Sequence, residues 1–336
     1  MRIAVVGAGY WGVNLIHVFH QLGVLYRICD FSAGRLEQLS QDYPGILMDD
    51  SYEALVDDRA VDAVVIATAA ECHYDMARKA LLAAKDVYVE KPLTLNCEEA
   101  ERLTDLAEGR GRILMVGHLL EYHPAITCLN DMIERGELGR LEYIYSNRLN
   151  MGKVRREENA LWSFAPHDIS VILLLLKRMP IQVAAAGGTY LQPNIADVTI
   201  STMLFDHGVR AHLFVSWLHP YKEQKLVVVG EHRMAVFDDV HKTEKLQIYD
   251  KKIDLVNGQF VVEKPAAKTV EFPTDEPLLL ECRHFLECVD TRHSPRSDGR
   301  NGWRVLKVLE ASQRSLSMNG EPVPLEIHRS MAQVRG

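Results

Sequence analysis

Ile3-Ala-Val-Val runs directly into Gly7-Ala-Gly9-Tyr-Trp-Gly12, and no other feature restricts the fold of the chain as strongly. A short apolar run that ends on glycine and opens onto helical periodicity specifies a strand, a tight turn and a helix. Gly7 permits the turn, Gly9 clears a side chain from where a pyrophosphate approaches the backbone, and Gly12 lets the helix pack close to the strand. The N-terminal end of that helix then offers N–H groups and a positive dipole end to an anion. Asp30 follows the next apolar run, Tyr26–Cys29, and lies 18 residues beyond Gly12. That is close to the spacing expected of an acid that bonds ribose hydroxyls. A carboxylate there repels a 2′-phosphate, and Phe31 and Ser32 supply no cation, so NAD is expected over NADP, with Arg35 the cation within reach of the region. The other reading of Asp30 is a cap on the following helix.

Three more apolar runs, Ala63–Ala67, Val87–Val89 and Ile113–Val116, are too short and too continuous to be surface elements. Helical patterns separate them, one of them signalled by Asn96 with Glu99 three residues later. The alternation predicts an α/β domain over residues 1–122, a doubly wound parallel sheet covered on both faces. After about Pro124 the rhythm changes to period 2, as in Val209, Ala211, Leu213, Val215 and Trp217, and in Val198, Ile200 and Leu204. This predicts long, mostly antiparallel strands with one buried face in a second, α+β domain over residues 123–336. Gly230-Glu231-His232 reads as a hairpin loop, and Leu278–Val289 and Trp303–Leu316 as amphipathic helices.

Composition excludes several classes of partner. With 38 Lys and Arg against 46 Asp and Glu, the formal charge of −8 speaks against nucleic acid or an anionic membrane surface. The longest apolar run, Val171–Leu176, is far too short to span a bilayer. The N-terminus shows no leader pattern and the six cysteines form no CxxC pair, so a reduced, cytoplasmic protein is expected. His17 and His20 share a helix face without a third ligand, and no metal site is expected.

Val87-Tyr-Val-Glu90-Lys91-Pro92 places a lysine at the carboxyl end of a buried strand, the edge where open α/β sheets bind ligands. A lysine in a confined site loses hydration and becomes available to a substrate hydroxyl; the alternative is an ordinary surface lysine. In their order and spacing, Gly7-Ala-Gly9-Tyr-Trp-Gly12, Val65-Ile-Ala-Thr68 with His73, and Glu90-Lys91-Pro92 resemble the Gfo/Idh/MocA oxidoreductase family. The resemblance covers nearly the whole chain. It implies an α/β Rossmann domain followed by an α+β domain with a large open sheet. It further implies that Tyr10, Trp11, Thr68 and His73 join Gly7, Gly9, Gly12 and Asp30 in the cofactor site. Glu90 and Lys91 would flank the nicotinamide, with Lys91 touching the hydroxyl to be oxidised.

By the same resemblance, Asn159-Ala-Leu-Trp-Ser163-Phe-Ala-Pro-His167-Asp168 carries the second catalytic group, His167 as acid/base. The family aspartate four residues before that histidine is replaced by Ser163, which leaves Asp168 as an adjacent candidate carboxylate. Arg148, Asn150, Lys153, Arg155 and Arg156 precede this segment and suit an anionic substrate such as a diphosphate, or else form a solvated loop. Arg148, Arg155 and Arg156 would hold the diphosphate, with Asn159 and Trp162 flanking the sugar. The Tyr-Trp-Gly loop and the 159–168 run resemble family members of amino-sugar and lipid A biosynthesis. This implies a UDP-sugar substrate, UDP-N-acetylglucosamine, oxidised at C3, with a pyridoxal-phosphate aminotransferase as functional partner. The alternatives are the glucuronate counterpart, a free sugar or inositol, and a non-enzymatic NAD-binding regulator. An open sheet needs cover, so a homodimer or homotetramer is expected.

Overall fold

The computed structural model describes residues 1–325. Its first part alternates strands and helices: β1 (Ile3–Val6), α1 (Gly12–Gln21), β2 (Leu25–Cys29), α2 (Ala33–Asp42), β3 (Leu47–Asp49), α3 (Tyr52–Asp57), β4 (Ala63–Ile66), α4 (His73–Leu82), β5 (Asp86–Glu90), α5 (Cys97–Gly109) and β6 (Leu114–Gly117). The six strands pair in parallel in the order β3-β2-β1-β4-β5-β6. Every residue of β1 and β4 is buried, which is why those runs are continuously apolar rather than alternating. The cap read at Asn96 is present, its side-chain oxygen accepting from Glu99 N at 2.9 Å. The edge strand β3 left no periodic signal because it is three residues long and none of them is buried.

The second part contains α6 (Pro124–Glu134), β7 (Leu141–Met151), α7 (Ala160–Leu176), β8 (Gln182–Gly188), β9 (Val198–Leu204), β10 (Arg210–Ser216), β11 (Leu218–Gly230), β12 (Arg233–Asp238), β13 (Leu246–Asp250), β14 (Lys252–Val256), β15 (Gln259–Glu263) and β16 (Lys268–Thr269). Then come α8 (Pro277–Thr291), α9 (Gly299–Ser317) and β17 (Val323–Pro324). Nine strands form one sheet in the order β16-β13-β12-β11-β7-β10-β9-β8-β17, and only the β10–β7 pair is parallel. The predicted hairpin joins β11 to β12. Ala211, Leu213 and Val215 of β10 are buried on the face that α7 covers, which accounts for its period of 2, whereas in β9 the expected apolar face of Val198, Ile200 and Leu204 needs correction: Thr199, Ser201 and Met203 are buried and Ile200 is exposed.

The chain divides into two compact units, Met1–His123 with Asp275–Leu306, and Pro124–Thr274 with Lys307 onward. The single boundary expected near residue 122 therefore needs correction, because α8 and the start of α9 return to the first unit. The physical reason is the apolar stripe of α8. Leu278, Cys282, Phe285 and Val289 are buried with the β1 and α1 residues Ile3, Val5, Leu15 and Phe19 in one core. Phe285 meets Phe19 and Tyr88 edge-on, with centroids 6.5 and 5.8 Å apart. Of the expected second domain, residues 326–336 lie outside the described residues.

Phe285→Ala should accordingly cost about 3–5 kcal/mol in chemical denaturation, the range for truncating a fully buried aromatic. A loss below about 1 kcal/mol would show that α8 is not part of this core.

Candidate active-site residues

The glycine loop departs from β1 through Gly7, whose φ of +90° is open to glycine and strained for other residues. Its hydrogen would be replaced by a Cβ only 2.7 Å from the Ala67 carbonyl oxygen, at the end of β4. At Gly12 a Cβ would lie 1.9 Å from the Gly7 oxygen, so the start of α1 is pressed against the turn itself. Gly9 is different: it is exposed, and a Cβ there meets no atom within 4 Å. The loop thus keeps clear the one position that a bound phosphate needs, and leaves the N-terminus of α1 facing it. Asp30 sits at the end of β2 and accepts from Ala8 N at 2.7 Å and Ser32 N at 2.9 Å. Its carboxylate ties the glycine loop to the second strand, and the Arg35 guanidinium donates to the Ala8 carbonyl alongside. Tyr10 is 92% exposed, whereas Trp11 turns inward and its indole N–H donates to Glu90 Oε1 at 2.6 Å. These residues fit a dinucleotide: a cleared backbone, a helix N-terminus and a carboxylate at the adjacent strand end.

Two other expected cofactor residues divide. Thr68 is half-buried at the end of β4. His73 is only 1% exposed, with Nδ1 2.7 Å from the Pro92 carbonyl oxygen and Nε2 3.2 Å from that of Thr68. Its ring is therefore a strut between the loops after β4 and β5 rather than an exposed lining group, and burial pushes its pKa down.

β5 delivers Glu90 and Lys91 in succession, followed by a cis Lys91–Pro92 bond. Burial pushes Glu90 up to about 7, against the opposing pull of Trp11, Lys91 and Tyr88. Tyr88 donates to Glu90 Oε1 at 3.2 Å, and the Lys91 backbone N–H to Oε2 at 3.2 Å. Beyond β6, His118 is buried and pushed down to about 3, first by burial and then by the charge of Lys91. Lys91 is the cation common to Glu90, His73 and His118. The Trp11–Glu90 bond joins residues far apart in sequence and left no local signal.

In the second unit, Asn159 caps α7 by accepting from Trp162 N at 3.1 Å. Its amide donates to Gln313 Oε1 at 2.7 Å, and the Trp162 indole N–H donates to the same oxygen at 3.2 Å. The polar atoms expected to flank a sugar are thus engaged with Gln313, a residue with no motif around it. His167, half-buried, stands on α7 with Ser163 one turn before it and on the same face. Asp168, the adjacent candidate, points elsewhere, since consecutive helix residues do not face alike. It accepts from Ser146 Oγ at 2.6 Å and from Arg148 through Nε at 2.6 Å and Nη2 at 3.2 Å. Arg148 is correspondingly not a loop cation: it lies in β7 with its side chain 11% exposed, committed to Asp168. Asn150 is also in β7, its amide lying over Gly152. Lys153 and Arg156 are exposed, and Arg155 pairs with Glu158 at 3.0 Å while its carbonyl accepts from Gln192. Gln192 belongs to a loop folded around Asp197, which accepts from Tyr190 N, Leu191 N and Trp217 Nε1 at 2.6, 2.9 and 2.6 Å. Lys91 belongs to the first unit and His167 to the second. Among the described residues no helix is long and apolar enough to cross a membrane, and no group of three or more His, Cys, Asp or Glu is placed to hold a metal ion.

Residues 1–118 match the model of an oxidoreductase family with an NAD-binding Rossmann fold, and residues 126–236 match the Gfo/Idh/MocA C-terminal domain. The chain belongs to the Gfo/Idh/MocA family. As a member it is an oxidoreductase whose first unit carries an NAD-binding Rossmann fold. It is similar to UDP-N-acetylglucosamine 3-dehydrogenase of Acidithiobacillus ferrooxidans, 28% identical over 91% of this chain and 94% of that protein. A solved structure of that enzyme superimposes with a TM-score of 0.85 at 26% identity, covering 95% of this chain and 98% of the other. It is also similar to scyllo-inositol 2-dehydrogenase (NAD(+)) of Bacillus subtilis, 27% identical over 98% of each chain.

The glycines should separate folding from cofactor binding. Gly12→Ala should lower Tm by several degrees, because the clash is with backbone. Gly9→Ala should leave Tm within about a degree, yet weaken NAD at least tenfold by calorimetry, about 1.4 kcal/mol. Equal NAD affinity for Gly9→Ala and the unmutated protein would remove this loop from the cofactor site.

Proposed function

We propose that the protein oxidises the C3 hydroxyl of a UDP-linked N-acetylhexosamine, UDP-N-acetylglucosamine, to a 3-keto sugar with NAD. One observation carries the substrate class. The helix that bears His167 is entered from a cationic stretch in which Lys153 and Arg156 are exposed and Arg155 is half-buried beside Glu158, in a chain of net charge −8. End-to-end similarity to a UDP-N-acetylglucosamine 3-dehydrogenase supports the same class.

Bound NAD supplies the hydride acceptor. Gly7, Gly9 and Gly12 seat its pyrophosphate at the head of α1, and Asp30 takes the ribose hydroxyls. Glu90 and Lys91 stand at the nicotinamide end. The Lys91 ammonium donates to the substrate hydroxyl oxygen and stabilises the negative charge that grows there as the proton leaves. His167 takes that proton, as an imidazole whose ordinary pKa lies near neutrality does well. Ser163 replaces the aspartate that would orient the imidazole, so His167 works without a carboxylate one turn away. Arg155 and Arg156 hold the diphosphate. Arg148 acts at one remove, fixing Asp168 and with it the rotation of α7. Asn159, Trp162 and Gln313 shape the entry to the helix.

Alcohol oxidation by NAD is uphill at neutral pH, so an aminotransferase that uses pyridoxal phosphate is the partner that consumes the ketone. A cytoplasmic homodimer or homotetramer is the form in which we expect the protein to work. The second reading is a dehydrogenase of a free polyol such as an inositol, which the similarity to scyllo-inositol 2-dehydrogenase favours.

The test combines protein, NAD, an aminotransferase and glutamate with UDP-N-acetylglucosamine, its glucuronate counterpart, or an inositol. UDP-N-acetylglucosamine should be turned over, and should raise Tm in the presence of NAD. Turnover of the inositol alone would favour the second reading, and of the glucuronate alone would overturn the sugar. Lys91→Ala and His167→Ala should each reduce kcat by roughly 10²–10⁴-fold while NAD affinity changes little. Near-normal turnover in either variant removes that residue from the mechanism.

A further inference from the structure

The connection from β8 to β9, residues 189–197, is held more firmly than a solvent-facing loop requires. Its ends meet where the Asp197 backbone N–H donates to the Gly188 carbonyl at 2.9 Å. The Asp197 side chain is buried, and its carboxylate accepts from the backbone N–H groups of Tyr190 and Leu191 and from the Trp217 indole. Three donors on a buried carboxylate, with a fully buried tryptophan behind it, fix the backbone of the loop. What that backbone displays is apolar: Tyr190 is 72% exposed, and Leu191 beside it is exposed as well. The Tyr190 ring rests on the end of β8. A Cβ at Gly188 would lie 2.6 Å from its hydroxyl oxygen and 2.7 Å from the carbon that bears it. The missing side chain at Gly188 is therefore a seat for the ring, whose remaining surface is open to solvent.

Two bonds place this loop at the entry to α7. The Ala160 backbone N–H donates to the Ala196 carbonyl at 2.9 Å, and the Gln192 side-chain amide donates to the Arg155 carbonyl. The loop thus stands against the first residue of the helix that bears His167 and against the cationic stretch before it. His167 lies two turns farther on, about 10 Å along the axis at 1.5 Å per residue. A single sugar or cyclitol ring at His167 is shorter than that interval. A nucleotide sugar is longer, because a diphosphate and a ribose separate its base from the sugar.

We propose that Tyr190 is a specificity-determining residue: seated on Gly188 and held in place through Asp197, it is the platform on which the base of a nucleotide sugar stacks. The proposal rests on the reading that the substrate is a nucleotide-linked sugar whose diphosphate lies at Arg155 and Arg156. An aromatic face receives a heterocyclic base by offset stacking, and excludes water from both. The latch at Asp197 matters because a ring ordered before the ligand arrives is not ordered at the expense of affinity. The loop accordingly separates nucleotide sugars from sugar phosphates, which carry the same anionic charge without a base to stack.

The experiment is calorimetry on the full chain saturated with NAD, with UDP and inorganic pyrophosphate as the two probes. The unmutated protein should bind UDP at least about tenfold tighter than pyrophosphate, the gain from one stacked base. Tyr190→Ala should weaken UDP by about tenfold and leave pyrophosphate within about twofold. Tyr190→Trp keeps an aromatic face and should hold UDP within about threefold of the unmutated protein. With UDP-N-acetylglucosamine as substrate, Tyr190→Ala should raise KM by about tenfold and change kcat by no more than about twofold, the signature of binding lost equally from ground and transition states. Unchanged UDP affinity in Tyr190→Ala would overturn the platform and leave the nucleotide-sugar reading standing. Equal losses of UDP and pyrophosphate in that variant would show that the loop acts by shaping the Arg155 stretch through Gln192, and would overturn it too. If the unmutated protein bound neither UDP nor UDP-N-acetylglucosamine, the nucleotide-sugar reading itself would fall, and the platform with it.

Discussion

The first unit depends on backbone approaching backbone where β1 turns into α1. Gly12 packs against the Gly7 carbonyl, and Gly7 against the Ala67 carbonyl, at separations that leave no room for a methyl group. Close approach brings the helix N-terminus onto the sheet edge, and the parallel order β2-β1-β4-β5 then sets Asp30, Thr68 and Glu90 along that same edge. The cost of such contact is borne by a core in which β1 and β4 are wholly buried, closed on one side by α8.

In the second unit the comparable constraint is electrostatic. Arg148 and Asp168 form a two-pronged ion pair with side chains 11% and 6% exposed, and Ser146 fills a third acceptor position. Removing one partner of a buried pair typically costs about 3–5 kcal/mol, because the other charge is left unpaired in a medium that solvates it poorly. The pair therefore locks α7 to β7 in rotation, and rotation of α7 is what decides where His167 points. The Asn159 cap and its bond to Gln313 hold the start of the same helix.

Lys91 stands among groups that burial keeps from charging. His73 and His118 are pushed toward the neutral imidazole, burial raises Glu90 to about 7, and burial pushes Glu281 well above the carboxylate range. Lys91 is the cation that acts on Glu90, His73 and His118 alike.

Local features of the chain determined what depends on neighbours within a few residues. The apolar runs that become β1, β2, β4, β5 and β6, the Asn96 cap, the β11–β12 hairpin and the buried face of β10 were legible, because strand pitch and capping are short-range; in β9 the face was not, since Thr199, Ser201 and Met203 are the buried residues and Ile200 is exposed. The glycine loop was legible for the same reason: a φ of +90° and a cleared Cα are properties of the residue itself. Only the tertiary structure decided the rest. It returned α8 to the first unit, made His73 a strut, drew Arg148 from a presumed anion site into a pair with Asp168, and set Trp11 against Glu90. In each case the deciding contact joins residues far apart in the chain, and a side chain's partner, burial and protonation follow from that contact rather than from its neighbours in sequence.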